Sequence, residues 1–269
     1  MSKKWWFSDY DGTILLDSSE GIYKQDLDFI NKWIRNNNNF VIASGRNRDD
    51  LKNILKTNNL IYNYLITNNG AMVHDKNDKV ILHKTISLEV RKDILKLINK
   101  WKDKVGIQLL FGNESLTVSC IKNKRKDVEP NQMVELHWLK VNNLSLNFES
   151  KVLNDKNLDT IKFYSYLEDL DCIEKDFAII KNTRYMQTYY FVLELTNKEA
   201  SKLDGIKEIQ KIFNIKENDI YVSGDGENDI EMLEAFQNSF VVSSGNKKAL
   251  KAGKHVIDSI SDIKKYVEE

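Results

Sequence analysis

The sequence predicts an α/β protein, a parallel-sheet core interrupted by an α+β insert. Three observations carry this. Short apolar runs alternate with stretches of helical periodicity toward both ends of the chain, and these runs stop at polar residues, often with a glycine close by. After Ala71 the pattern changes to closely spaced antiparallel strands with a helix among them, and after Glu194 the original alternation resumes. Strands alternating with helices read as a parallel sheet. Residues 1–84 and 191–269 are therefore assigned to the core and 85–190 to the insert. In such sheets ligands bind outside the carboxyl ends of the strands.

The first strand is Trp5-Trp6-Phe7-Ser8, ending at Asp9. A helix over 24–35 follows, with Leu27, Ile30, Trp33 and Ile34 near helical spacing. The polar run over 36–39 is turn chemistry and stops it. Residues 40–43 form a second strand that breaks at Ser44-Gly45-Arg46. A helix over 48–57 leads to the third strand, Tyr64-Leu65-Ile66-Thr67, which ends at Asn68-Asn69-Gly70. Residues 71–74 and 79–83 make a hairpin about a turn at 75–78. A helix over 87–104 puts Val90, Ile94, Leu97, Ile98 and Trp101 on one face, a core stripe. Residues 106–111 and 115–121 alternate as antiparallel strands, and 122–131 is a charged loop, read as solvated and not as a nucleic-acid patch. The core resumes with a helix over 199–213 and a strand over 220–223 that ends at Gly224-Asp225. Elements over 228–236, 240–242, 247–252 and 255–257 precede a last helix ending at Glu269.

Composition narrows the function classes. With 41% hydrophobic residues among 269, the chain can bury a real core. Its 40 basic and 40 acidic residues cancel, so the footprint of a nucleic-acid partner is absent. No apolar run approaches the roughly 18 residues that suggest a membrane span. Ser8 and Asp9 cut off the apolar stretch near the start far short of an export signal. A cytoplasmic protein without a membrane partner, a monomer or weak homodimer, is expected. Cys120 and Cys172 lie far apart and read as two buried thiols in a reducing compartment. His74, His83, His137 and His255 share no spacing that makes a triad or a metal site.

Two acidic clusters follow strands: Asp9-Tyr10-Asp11-Gly12-Thr13 and Gly224-Asp225-Gly226-Glu227-Asn228-Asp229. Two like charges about 4 Å apart, at an effective dielectric near 20, repel by about 4 kcal/mol. Carboxylates converging on one site therefore call for a divalent cation or for protonation. Oxygen ligands without a Cys/His cluster favour Mg2+ over zinc. In an extended segment Asp9 and Asp11 share one side with Tyr10 opposite, and Gly12 permits a sharp departure.

Taken in order, Asp9-x-Asp11-Gly12-Thr13, Ser44-Gly45-Arg46, Lys202 and Gly224-Asp225-x-x-Asn228-Asp229 resemble the haloacid dehalogenase superfamily. The late Gly-Asp-x-x-Asn-Asp form looks like its Cof-type, sugar-phosphatase branch, subfamily IIB-like, with a large α/β cap. The resemblance implies a Rossmann-like catalytic core, a cap inserted over the site, and Mg2+-dependent hydrolysis of a small phosphorylated metabolite, a sugar or polyol phosphate. It implies Asp9 as the nucleophile that becomes an aspartyl phosphate, and Asp11 as general acid and then base. Ser44 and Lys202 would hold the transferring phosphoryl group, Lys202 offsetting anion–anion repulsion. Asp9, Asp225 and the Asp11 backbone carbonyl would bind Mg2+, with Asn228 and Asp229 supporting that shell. Gly45, Arg46 and Asn69 match the family's substrate-side segments; Arg46 and Asn69 would touch substrate or brace the loop.

Blander readings stand beside these. Ser44 can be a helix N-cap, a role compatible with phosphate binding. Lys198 competes with Lys202, four residues on and on the same face if both are helical. Leu203 stands where family members commonly place Gly, and Asn197-Lys198-Glu199 replaces a proline-glycine-like turn. Rival functions are a phosphomutase-type phosphotransferase and a receiver-like phospho-Asp signalling protein. The position of the inserted cap argues against the first; Asp11, which would activate water to hydrolyse a phosphate that a switch must keep, argues against the second.

Overall fold

A computed structural model describes residues 2–17, 20–119, 148–165, 167–189 and 191–267. Cys120, the basic loop over 122–131 and His137 lie outside the described residues. The chain divides into two units, residues 1–82 with 201–269, and residues 83–200.

The first unit is built on an eight-stranded sheet. Its strands are β1 (Trp5–Ser8), β2 (Asn39–Ala43), β3 (Tyr64–Thr67), β4 (Met72–Asp75), β5 (Val80–His83), β11 (Ile220–Gly224), β12 (Asn238–Val242) and β13 (His255–Ile257), in the order β13-β12-β11-β1-β2-β3-β4-β5. All are parallel from β13 to β3, and β4 turns back against β3. The chain leaves β1 toward β2 on one side and returns to β11 on the other. That reversal opens a crevice at the carboxyl ends of β1, β2 and β11. Both faces of the sheet are covered. Phe7, Val41, Ile66, Val222 and Val241 point to one apolar cluster; Trp6, Phe40, Ile42, Leu65 and Phe240 point to the other. That two-sided burial is why these strands read as continuous apolar runs.

Helix α1 (Lys24–Arg35) lies where its periodicity predicts, burying Phe29, Ile30 and Trp33. Helix α2 (Arg48–Thr57) is capped by Asn47, whose side chain accepts from the Asp50 N–H at 2.9 Å. Asn47, not Ser44, is thus the cap.

The second unit is an antiparallel five-stranded sheet with helices on one face. Its strands β6 (Gly106–Phe111), β7 (Glu114–Ser119), β8 (Leu158–Tyr164), β9 (Thr183–Tyr189) and β10 (Val192–Asn197) run in the order β7-β6-β8-β10-β9. Ile107, Leu109, Ile161, Phe163, Leu193 and Leu195 pack with Ile94, Leu97 and Trp101 of α3 (Arg91–Trp101), Val152 of α4 (Phe148–Asn154), and Ile173 and Phe177 of α5 (Leu167–Ala178). The helix expected over 87–104 is shorter, a 3-10 turn at Leu88–Val90 followed by α3. Strand β10 pairs with β8 and β9, so the return to the first unit comes at Ser201 and not at 191. Cys172 corrects the expectation of buried thiols: it is exposed. It sits on the side of α5 opposite Leu170, Ile173 and Phe177, the residues that face the core. His83 contacts the fully buried Asp159 at 3.0 Å, and His255 stacks on Phe240, so neither belongs to a catalytic group.

Helix α6 (Lys202–Phe213) opens at Lys202 with Ser201 as its cap, where a start at 199 was expected. Residues 197–200 form a turn instead, closed by the Ala200 N–H on the Asn197 carbonyl at 3.0 Å. Helices α7 (Ile230–Ala235), α8 (Lys247–Ala252) and α9 (Lys264–Val267) complete the first unit.

Candidate active site

Adjacent parallel strands deliver the two acidic clusters side by side. Strand β1 runs in register with β11 from Trp5 beside Ile220 to Ser8 beside Ser223, and the ladder continues with the Asp9 N–H on the Ser223 carbonyl at 2.9 Å. Asp9, the first residue after β1, and Asp225, the first after β11, therefore leave the sheet on neighbouring strand ends. Gly12 adopts φ +88° there, and a Cβ on it would lie 2.3 Å from the Asp225 carboxylate. Only glycine permits that approach. The buried Thr13 hydroxyl donates to Asp225 Oδ1 at 2.6 Å, a role that sequence reasoning did not assign.

Lys202, the first residue of α6, is buried and points into the carboxylates. Its Nζ donates to Asp9 Oδ1 at 2.5 Å and to Asp229 Oδ1 at 2.7 Å. Lys198 lies outside that helix, which resolves the competition between the two lysines. Leu203, in place of the family's glycine, packs partly buried against the apolar cluster below. The other Asp229 oxygen accepts from the Asp225 and Gly226 N–H groups at 3.1 and 2.9 Å. With both oxygens engaged, Asp229 braces the loop and anchors the lysine.

The loops after β2 and β3 form the other wall. Ser44 is buried, and its Oγ accepts from the Arg46 N–H at 3.1 Å. The Arg46 guanidinium forms a fork on Asp11, Nε to Oδ2 at 2.7 Å and a second nitrogen to Oδ1 at 2.8 Å, with both side chains about 40% exposed. Gly45 passes against Asn69, a Cβ there meeting its amide at 3.0 Å. Asn69 has φ +50°, and its Oδ1 accepts from Asn228 Nδ2 at 2.9 Å, so the two asparagines tie the loops together. Gly70 has φ +92° and faces the Ser201 carbonyl so closely that a Cβ would lie 1.8 Å from it. The start of α6 is thus seated on a glycine; the Asn68-Asn69-Gly70 turn was its signal in the sequence.

Crowding sets the electrostatics. Burial pushes the Asp9 carboxyl well above the usual carboxylate range; Lys202 opposes this, while Asp229, Asp225 and Asp11 reinforce it. Burial, then Asp229, pushes Asp225 up to about 6 against the Thr13 hydroxyl and Lys202. Burial works against the Lys202 charge, but Asp229 and Asp9 outweigh it and the ammonium is held above its ordinary range. Oxygens of Asp9, Asp225 and Asp229 lie within 4.8 Å of one another. A cluster of hard oxygen donors carrying more negative charge than one lysine neutralises fits a small divalent cation such as Mg2+.

A family model described as haloacid dehalogenase-like hydrolase matches residues 6–264. A protein of Mycoplasma capricolum subsp. capricolum is 30% identical over 272 residues, covering 97% of this chain and 99% of its own. The phosphatase YwpJ of Bacillus subtilis is 24% identical over 94% of this chain and 91% of its own. Among solved structures, the HAD subclass IIB sugar phosphatase BT4131 superposes with TM-score 0.76 at 21% identity over 99% of each chain. TM0651 of Thermotoga maritima superposes with TM-score 0.75 at 24% identity, over 95% of this chain and 92% of its own. These two likenesses show the fold.

Proposed function

This chain belongs to the haloacid dehalogenase-like hydrolase family, and from that premise we propose that it is a Mg2+-dependent phosphomonoester hydrolase working through an aspartyl phosphate. The observation that supports this best is the Lys202 ammonium buried between Asp9 and Asp229, with Asp225 beside them. An unpartnered carboxylate trio would be costly in the interior; the same trio with one fixed cation is arranged to receive a second cation and an anion.

Asp9 attacks phosphorus, forming an Asp9 O–P bond as the P–O bond to the leaving alkoxide breaks. Asp11 gives its proton to that alkoxide, then removes one from the water that cleaves the acyl phosphate and regenerates Asp9. Lys202 and the Ser44 hydroxyl hold the phosphoryl oxygens, Gly45 lets the loop approach them, and Arg46 and Asn69 line the substrate side. Mg2+, held by Asp9, Asp225 and the Asp11 carbonyl, would neutralise phosphate charge as the nucleophile approaches. Asn228 and Asp229 keep that shell in place. A small sugar or polyol phosphate is the proposed substrate class, favoured by the fold shared with a sugar phosphatase. No helix is long and apolar enough to cross a membrane among the described residues; a cytoplasmic monomer or weak homodimer, without a nucleic-acid or membrane partner, completes the proposal.

The test is phosphate release across a panel of phosphorylated metabolites, with Mg2+ and with chelator, for the wild type and Asp9→Asn. Metal-dependent release that falls to background in Asp9→Asn is expected. A folded Asp9→Asn protein keeping more than about a tenth of the activity, a barrier change under about 1.4 kcal/mol, excludes a nucleophilic Asp9.

A further inference from the structure

Beneath the carboxylates runs a chain of buried hydrogen bonds that ends on the backbone of Asp9. The Trp6 indole N–H donates to Ser223 Oγ at 2.9 Å, the Ser223 hydroxyl donates to Ser8 Oγ at 2.8 Å, and the Ser8 hydroxyl donates to the Asp9 carbonyl at 2.8 Å. Trp6, Ser8 and Ser223 have no solvent exposure. The direction of the chain is fixed at both ends, because an indole N–H can only donate and a carbonyl can only accept. Each serine has one proton, so once Ser223 accepts from the indole, its own proton goes forward to Ser8, and that of Ser8 to Asp9.

The sheet makes this possible. Ser8 stands beside Ser223 in the parallel register of β1 and β11, and Trp6 points to the same face as Ser8, two residues on. The Trp6 ring is itself wedged among Phe29, Trp33 and Phe40, with centroids 4.8 to 5.7 Å away. The far end of the chain is therefore anchored in rigid core. Its near end clamps Asp9 by the carbonyl, while the Asp9 N–H is bonded to the Ser223 carbonyl at 2.9 Å. Both backbone polar groups of Asp9 are thus tied to the same pair of strands.

Resting on the reading of Asp9 as nucleophile, we propose that Trp6, Ser223 and Ser8 are positioning residues acting in series to hold the Asp9 carboxylate in line for attack. Placement at this scale matters to rate, since an error of about 1 Å in a reacting group costs about a hundredfold. A series arrangement has a signature that packing does not. Breaking the last link makes the earlier ones irrelevant.

The experiment compares kcat and KM for wild type, Ser8→Ala, Ser223→Ala and the Ser8→Ala/Ser223→Ala double variant, with Asp9→Asn as the zero. Ile30→Val, a buried change on α1 away from the site, serves as a control for lost stability. Indole N–H resonances are recorded for each protein. Ser8→Ala is expected to lower kcat about tenfold with KM nearly unchanged, the order of one hydrogen bond to a reacting element. Ser223→Ala should lower kcat less and shift the Trp6 indole resonance. The double variant should match Ser8→Ala, and Ile30→Val should keep wild-type kcat. Additive losses in the double variant, or losses that Ile30→Val reproduces at equal melting temperature, would reduce the chain to packing. Wild-type kcat in Ser8→Ala overturns the proposal while Asp9→Asn remains inactive; an active Asp9→Asn instead overturns the reading of Asp9 itself.

Discussion

Replacing Lys202 by methionine keeps the bulk of the side chain and removes its charge, which isolates the ammonium's contribution. The Nζ lies 2.5 Å from Asp9 and 2.7 Å from Asp229, and the oxygens of Asp9, Asp225 and Asp229 are within 4.8 Å of one another. At that separation each pair of ionised carboxylates repels by about 3.5 kcal/mol at an effective dielectric near 20. Proton uptake and water entry relieve part of it, and the usual cost of stripping one partner from a buried ion pair is about 3–5 kcal/mol. Metal-free Lys202→Met at pH 8 should therefore be less stable than wild type by about that amount.

The pH dependence follows from the direction of each shift. The pKa of Lys202 is raised, so its charge contributes stability at every pH below its ordinary 10.5 and fades only as pH climbs through the raised value. Asp9 and Asp225 are raised as well. Their folded forms keep protons that the unfolded chain has already lost, so their contribution to stability declines as pH rises above 3.8. Without the lysine that decline steepens. The deficit of the variant should be small at pH 5, large at pH 8, and partly reversed by millimolar Mg2+. Urea unfolding of both proteins at the two pH values, in chelator and in Mg2+, measures it. A deficit below about 1 kcal/mol at pH 8, or one independent of pH, would refute the reasoning.

Asp11→Asn should keep Mg2+ binding, because the backbone carbonyl at position 11 survives, yet slow turnover of alkyl phosphates by about 10²–10⁴-fold. The loss should shrink for an aryl phosphate in the first half-reaction, and phosphoenzyme should accumulate on acid quench. Equal losses for both substrate types in that first half-reaction would remove Asp11 from protonation of the leaving group. A stable phosphoenzyme in the wild type, without steady-state phosphate release, would point instead to a receiver-like switch. Mg2+ affinity should weaken as pH falls below about 6, where Asp225 takes up a proton under the influence of burial and Asp229. The slope should approach about tenfold per pH unit for one displaced proton. Titration calorimetry at pH 5 and 7.5 tests this, and equal affinities would exclude Asp225 as a ligand.

By itself the sequence determined most elements of the core and the chemical inventory, while α4, β8, α5 and β9 of the insert were not assigned from it. The strand Trp5–Ser8 and the helices Lys24–Arg35 and Arg48–Thr57 were legible because apolar spacing and turn residues act within a few positions along the chain. The acidic pairs after β1 and β11 were legible for the same reason, being local and attached to strand ends. What only the tertiary structure decided was which groups meet. Lys202 reaches Asp9 across 193 residues of chain, and Thr13 reaches Asp225 across 212. The Arg46 fork on Asp11, the Asn69–Asn228 bond and the seat of Ser201 on Gly70 likewise join segments remote in sequence. Spacing to Asp225 favours Lys202 over Lys198 in the sequence; the turn over 197–200 and the Ser201 cap, which put Lys202 first in the helix, are what separate the two in space. The insert's boundary at Ser201 was hidden for a related reason. Strand β10 is buried as a core strand is, and only its antiparallel pairing with β8 and β9 reveals the sheet to which it belongs. Periodicity reports whether a segment is buried, and pairing partners, which it does not encode, decide where.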